Sequence, residues 1–401
     1  MASIMRKIFL TIVLFSAICS QNLIGQDDQR PRARDLGIEI GVFSPGPLNA
    51  ITDVAGVLVS HVTLKNGDDI NTGVTAIYPH NGSIYHDRVP AAVHVGNGYG
   101  KLIGVTQIRE LGELETPILL TCTLCVWQVA DAMVEWLLEQ PGMENVRSLN
   151  AVVGETNDGS LNNIRSRPIK NEHVRQALTT AHSGPVVEGS VGAGRGTRAF
   201  GWKGGIGTSS RVLPESLGGF TTGVLVQSNF GGILTINGAP VGQEMGRYSF
   251  KENLHPNNSP LKDSEIFDWD SPDEGQGSIM IIVATDAPLS PLKLERLARR
   301  AIIGLGRTGS FAGNGSGDYV ISFSTATEVR RPRGHSVLQL KEISNDQMSA
   351  LFQGVVESTE EAIYNSILKA TTVSGMGRTA DAIDLNVLAK VLRRFNVTPP
   401  N

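Results

Sequence analysis

The sequence predicts an α+β fold in which sheets stack face to face beneath a cover of helices. Two observations carry this expectation. Short apolar runs bounded by glycine and proline recur along the chain, and amphipathic runs of helical period are gathered between and after them. With 401 residues, 40% of them hydrophobic, the chain suffices for one large domain or two ordinary ones with a real core.

Taken in order, β segments are expected at "GIEIGVF" (37–43), "GVLVSHVTL" (56–64), "TGVTAIYP" (72–79) and "AAVHVGNGYG" (91–100). Helical periodicity follows in "TCTLCVWQVADAMVEWLLEQPG" until Pro141 stops it, then a strand at "LNAVVGET" (149–156) and a helix at "NEHVRQALTTAH" (171–182). A further β region is expected at "TTGVLVQSNFGGILTING" (221–238). Residues 251–277 read as a flexible tether, because seven acidic residues, two basic ones and three prolines leave little apolar surface to pack. Beyond it come the strand "SIMIIVATDAP" (278–288), a helix opening at Ser290-Pro291 and the strand "DYVISFST" (318–325). Two helices, over 345–372 and 384–395, complete the chain.

Composition narrows the function. A formal net charge of -4 and only 18% charged residues, mixed in sign, leave no basic footprint for nucleic acid. The eight histidines are scattered without ligand spacing, so neither a metal nor another cofactor is expected. Arg6 and Lys7 precede the apolar run "IFLTIVLFSAI", the pattern of a secretory signal peptide over residues 1–25. An exported chain, periplasmic or secreted and without a membrane span after processing, is expected. Cys19 follows a poor lipoprotein box, which disfavours a lipid anchor, whereas "LIG" before Gln26 is an ordinary cleavage site. The N-x-[ST] sites at Asn81, Asn257, Asn314 and Asn396 are read as unglycosylated, because the signal peptide has a bacterial character. Cys122 and Cys125 form a C-x-x-C that could be a redox pair; two small apolar residues on a packed helix face is the favoured reading.

The junction at Gly277-Ser278 raises the chemical question, because an apolar strand starts there directly from a polar, glycine-rich segment. Were the bond between them cut, Ser278 would carry a free α-amine, with an ordinary pKa of about 7.7–8.0, beside its own hydroxyl. Such an amine can take the hydroxyl proton, so no histidine is needed. No G-x-S-x-G elbow offers a competing serine. The glycine-rich "GAGRG" (192–196) raises a nucleotide-binding alternative, but it lacks the G-K-[ST] ending.

Five motifs in order, "VVGETNDGSLN", "FGWKGGIGTSSR", "GVLVQSNFGG", "GSIMIIVATDAPL" and "NGSGDYVISFSTA", resemble the aminopeptidase family of DmpA, the L-aminopeptidase/D-Ala-esterase/amidase, and the β-peptidyl aminopeptidases. The resemblance spans about Arg34 to Ala380. It implies a four-layer αββα sandwich made by two chains, 26–277 and 278–401, from a precursor that cuts itself and often assembles into a homo-oligomer. It further implies Ser278 as nucleophile, Ser316 and Asp318 as the serine-acid pair serving its amine, and Asn229 as oxyanion donor. Glu155 is implied as the acid that receives the substrate's ammonium, and Gly277-Ser278 as the cleavage site. Many relatives have Glu where this chain has Asp318, so the reach of the carboxylate differs. The implied substrate is a small peptide or an amino-acid amide or ester, with the choice among α-peptides, β-peptides and D-amino-acid amides left open. Trp127, Trp136 and the "HVGNGYG" loop (94–100) are candidates for sizing the side chain, and "KGGIGTSSR" (203–211) reads as structural. Two alternatives stand beside this: an acyltransferase like the ornithine acetyltransferases, disfavoured by Ser278 where those use threonine and by this chain's expected export signal, and an endo-acting amidase.

Overall fold

The computed structural model describes residues 30–254 and 277–399. The expected export segment, with Cys19 and Gln26, and the tether from 255 to 276, with Asn257, lie outside the described residues. The first part of the chain forms β1 (Leu58–Asn66), β2 (Ile70–Tyr78), β3 (Asp87–Gly98), α1 (Val105–Leu111), β4 (Glu113–Leu114), β5 (Ile118–Cys122), α2 (Val126–Leu138), β6 (Val152–Thr156) and α3 (Asn171–Thr179). A hairpin of β7 (Arg198–Ala199) and β8 (Trp202–Lys203) leads into β9 (Ile206–Val212), β10 (Thr221–Asn229), α4 (Val241–Glu244) and α5 (Lys251–Leu254). After the tether come β11 (Gly277–Thr285), α6 (Pro291–Arg307), β12 (Ser316–Ser324), β13 (Arg331–Pro332), α7 (Met348–Leu368), the hairpin β14 (Val373–Gly375) with β15 (Arg378–Ala380), and α8 (Leu385–Arg394).

These elements make the expected α+β sandwich. One sheet has the order β1-β2-β5-β6 and the other β13-β3-β12-β11-β10-β9, with β4 beside β3. Three apolar clusters mark the three spaces between four layers. Ile279, Ile281 and Val283 of β11 pack with Leu294 and Leu297 of α6 and Val355 of α7. Met280, Ile282 and Ala284 face the other way and meet Ile118 and Leu120 of β5 and Val152 of β6. Leu119 and Val153 leave the far side of the smaller sheet and pack against Val129 and Met133 of α2 and Val174 of α3. A strand buried on both faces must be apolar throughout, which is why "SIMIIVA" shows no alternation.

The expected strand at 37–43 is not a strand. Ile38 and Ile40 are buried, but Gly41 takes φ 75°, and the Val42 and Phe43 N–H groups donate to the two oxygens of Glu357 at 2.9 and 3.1 Å. A side-chain carboxylate thus receives the donors that a ladder would otherwise use. Glu357 and Glu361, both buried on α7, also bind the buried Arg211 of β9, at 3.0 and 2.7 Å. The "KGGIGTSSR" stretch is structural in this sense: a Cβ on Gly207 would lie 2.0 Å from the Ala362 carbonyl oxygen, so sheet and helix backbones approach there as only glycine allows.

Two further boundaries differ from expectation. Cys122 ends β5 and Cys125 closes a 3-10 turn before α2, so the pair does not lie on a helix face. The two cysteines are joined by a disulfide and buried, in place of the unlinked apolar pair that was favoured. The tether begins later than expected, since Lys251–Leu254 form a helical turn, and Gly277 already belongs to β11. Ser290 does precede α6, yet its side chain makes no cap; its N–H donates instead to Glu342 at 3.1 Å. Among the described residues, no helix is long and apolar enough to cross a membrane.

Candidate active site

Strand register gathers the site at one end of the large sheet. Ser278, the second residue of β11, pairs with Asn229, the last residue of β10, on one side and with Gly317 of β12 on the other. The Ser278 side chain falls on the same face as Met280, toward the smaller sheet, because side chains alternate along a strand. Its Oγ accepts the Gly317 N–H at 3.2 Å. The cleft above it measures about 330 Å³ and is lined by Glu155, Asn229, Gly277 and Ser278 together with Thr123 and Arg198.

Asn229 has a fixed orientation. Its Oδ1 accepts the Arg198 N–H at 2.9 Å, which leaves the amide nitrogen as the group able to donate elsewhere. Glu155 ends its approach in the same cleft, nearly buried, with Oε1 accepting the Lys101 N–H at 2.8 Å and Oε2 accepting the Thr123 hydroxyl. Burial raises its carboxyl above the usual carboxylate value, and the bonds from Thr123 and Lys101 oppose that rise. Between Glu155 and Ser278 lie two glycines. A Cβ on Gly100 would stand 3.2 Å from Glu155 Oε1, and one on Gly317 would stand 2.6 Å from the Gly100 backbone and 3.1 Å from Ser278 Oγ. Side chains at these positions would crowd the Glu155 carboxylate and the Ser278 hydroxyl.

Ser316 and Asp318 form the expected pair two residues apart, with Ser316 Oγ donating to Asp318 Oδ1 at 2.6 Å. Their register partners are Gly277 and Ile279, so they stand beside the 277–278 peptide on the helix-facing side of the sheet and do not line the cleft. Asp318 Oδ2 is buried with no hydrogen-bond partner among the described residues. Burial pushes the Asp318 carboxyl up to about 6, against the bond from Ser316.

Gly277 has φ 132°, and a Cβ there would lie 2.1 Å from the Asn229 carbonyl oxygen and 2.7 Å from Phe230 Cα. Only glycine fits this approach, a requirement that the sequence did not disclose. Thr123, the Lys101 N–H and Arg198 are the other participants that the sequence reading missed. Thr123 lay unremarked between the two cysteines, and no motif marks the other two. Of the expected side-chain-sizing residues, Tyr99 of the 94–100 loop lines the cleft, whereas Trp127 is exposed on α2 and neither it nor Trp136 reaches the site. The "GAGRG" segment is a buried 3-10 turn whose Gly194 and Gly196 abut the backbones of Gly205 and Asn71, so its glycines serve packing.

The Peptidase family S58 pattern matches residues 49–380. The chain belongs to peptidase family S58. A β-peptidyl aminopeptidase, BapA, of Sphingosinicella microcystinivorans is 39% identical over 378 residues, which are 91% of this chain and 92% of that protein. Among solved structures, the Burkholderia sp. β-aminopeptidase is 40% identical with a TM-score of 0.79, covering 91% of this chain and 99% of that one. The L-aminopeptidase D-Ala-esterase/amidase of Ochrobactrum anthropi is 37% identical with a TM-score of 0.80, covering 92% and 100%. It is described as a prototype for the serine aminopeptidases and a variant of the Ntn hydrolase fold. This S58 chain is therefore an aminopeptidase with that fold.

Proposed function

We propose that this S58 aminopeptidase is an exported enzyme that cuts its own Gly277-Ser278 bond and then uses Ser278 to release amino-terminal residues from small peptides, amides or esters. The observation that carries the reading is the convergence of Ser278, Asn229, Glu155 and Gly277 on one cleft. In the first step Ser278 Oγ attacks the Gly277 carbonyl carbon. The C–N bond breaks, an ester joins residue 277 to the serine oxygen, and the freed nitrogen takes a proton to become the Ser278 amine. Water then hydrolyses the ester, leaving a Gly277 carboxylate and a Ser278 hydroxyl.

The freed amine supplies the base. Departure of residue 277 vacates the register position beside Ser316, where an amine of residue 278 can meet the Ser316 hydroxyl and the unpartnered oxygen of Asp318. A base held in this way takes the Ser278 proton as Oγ attacks the substrate carbonyl, and later returns it to the leaving amine. The Asn229 amide nitrogen donates to the oxyanion, a role for which a non-titrating donor in a fixed orientation is suited. Glu155 pairs with the substrate's ammonium and so limits attack to the first peptide bond. In the same reading residues 1–25 are removed on export, and pieces 26–277 and 278–401 stay associated and assemble further.

The test is Ser278→Ala. Intact mass spectrometry of the wild type should find a piece beginning "SIMIIV", and the variant should be one folded, inactive chain. A variant that is cut normally, or an uncut wild type with full peptidase activity, would overturn the mechanism.

A further inference from the structure

The Glu155 carboxylate is held by one neutral donor on each oxygen, and the two donors come from different parts of the fold. Oε1 accepts the Lys101 N–H at 2.8 Å. The same peptide unit is fixed at its other end, because the Tyr319 hydroxyl of β12 donates to the Gly100 carbonyl at 2.8 Å. Oε2 accepts the hydroxyl of Thr123, which also lines the cleft. An ionised carboxylate has about four acceptor positions, so one bond to each oxygen fixes its plane and leaves positions for a substrate ammonium.

The Thr123 hydroxyl reaches Glu155 from a turn, not from a strand. β5 and β6 run parallel, with Thr121 opposite Glu155 and Cys122 opposite Thr156. Had β5 continued, Thr123 would stand opposite Asn157, about 6–7 Å along the strand from Glu155. A 3-10 turn over Thr123–Cys125 instead sets its hydroxyl on Oε2. The Cys122–Cys125 disulfide brackets that turn, since Cys122 is the last paired residue of β5 and Cys125 immediately precedes α2. It ties a strand end to a helix start with Thr123 between them. Both cysteines are buried and neither lines the cleft, so the bridge acts on the site through the turn that it closes. An oxidising compartment, as the proposed export supplies, keeps such a bridge closed.

We propose that Thr123 is a positioning residue for substrate binding, and that the Cys122–Cys125 disulfide sets its hydroxyl against Glu155 and so tightens recognition of the substrate's ammonium without touching it. The proposal rests on the reading in which Glu155 receives that ammonium. Thr123 serves the carboxylate in two ways. It orients Oε2, and it favours the ionised form in a place where burial favours the neutral one. Self-cleavage presents no ammonium and does not need it.

The experiment measures kcat and KM separately on whichever of L-alanyl and β-alanyl p-nitroanilide the wild type turns over, with its N-acetyl derivative as control. Thr123→Val removes the hydroxyl and keeps a branched side chain; it should raise KM by about three- to tenfold with a smaller change in kcat. Thr123→Ser should stay within about twofold of wild type, and Cys122→Ala together with Cys125→Ala should raise KM by about two- to fivefold. A carboxylate with one donor fewer is protonated more readily, so the KM of Thr123→Val should exceed that of wild type most at low pH and approach it as pH rises. Lys101, Asp158, Tyr319 and the cleft-lining Arg198 surround Glu155 in both proteins and cancel in that comparison. Mass spectrometry should find every variant cut before Ser278 as the wild type is. A merely structural role would lower kcat alike at every pH and leave Thr123→Ser no better than Thr123→Val. That result, or an unchanged KM in Thr123→Val or in the cysteine pair, would overturn the proposal while leaving the aminopeptidase reading standing. Should Thr123→Val not fold, the cysteine pair decides. Equal wild-type rates on the free and acetylated substrates would instead overturn the Glu155 reading on which the proposal rests.

Discussion

Replacing Gly277 with alanine should slow self-cleavage far more than it harms the fold. The new Cβ would lie 2.1 Å from the Asn229 carbonyl oxygen and 2.7 Å from Phe230 Cα, so relief requires a backbone displacement of roughly 1 Å toward ordinary contact. Position 229 resists moving, because Arg198 holds its side chain and Phe230 is buried in the core. Residue 277 moves instead and carries its carbonyl away from Ser278 Oγ. A displacement of about 1 Å in reacting geometry typically costs about a hundredfold, and the φ of 132° adds about 1–3 kcal/mol of strain for a residue with a side chain. The expected half-time of cutting is therefore lengthened by about ten- to a hundredfold, measured by intact mass spectrometry after a pulse of expression. Thermal unfolding of the uncut variant controls for loss of fold. Once cut, residue 277 no longer precedes a bond to Ser278, so kcat/KM per cut chain should fall much less than the cutting rate. Cutting at the wild-type rate before Ser278 would refute the argument that this close approach places the carbonyl for attack.

Three other perturbations separate the roles of the remaining groups. Glu155→Gln should lower kcat/KM on free-amine substrates by about ten- to a hundredfold without stopping self-cleavage, since the precursor's bond presents no ammonium; equal rates on a substrate and its N-acetyl derivative would show Glu155 to be only a structural acid. In the uncut chain burial raises the Asp318 pKa to about 6, and the amine freed by the cut would lower it again when protonated; Asp318→Asn, which cannot hold that amine as a carboxylate does, should lower kcat/KM at pH 8, and a variant as active as wild type would contradict the role. The same upward shift means that ionising Asp318 opposes folding. In the uncut Ser278→Ala background stability should decline as pH rises from about 4 to about 6, and adding Asp318→Asn should stabilise that chain at pH 8 by about 1–2 kcal/mol, with the difference fading near pH 4 in urea titrations. Arg211→Met should cost about 3–5 kcal/mol in the same titrations, because the buried Glu357 would keep only neutral donors while Glu361 keeps Arg34 at 3.0 Å; a loss under about 1 kcal/mol would mean that water reaches Glu357.

Most of the strands and helices were legible in the sequence from apolar runs and helical period, but β5, β9 and α1 were not. The segment at 37–43 has the same apolar period and yet is no strand, since its backbone donors meet a carboxylate more than 300 positions away. No local pattern announces such a partner. Cys122 and Cys125 misled for a related reason: helical spacing continued backward from α2 into residues that the sheet claims. In the site, Ser278, Asn229 and Glu155 were named from motifs; strand register joins the first two, and the stacking of the smaller sheet brings Glu155 of β6 to them. Arg198 and Thr123 act through the positions that folding gives them, one by its backbone N–H and one by a hydroxyl set on a 3-10 turn, so no residue pattern singles them out.

The order β13-β3-β12-β11-β10-β9 interleaves the two segments on either side of the tether. β3, from the first segment, lies between β13 and β12 of the second, and β11 bonds to β10 of the first. A chain cut before Ser278 thus becomes two strands of a single weave. Neither can leave without opening a sheet along several seams and exposing its core, so the cut enzyme would persist by the slowness of that opening. Its return from denaturant would require two molecules to meet, and recovery would depend on protein concentration where that of the uncut chain does not.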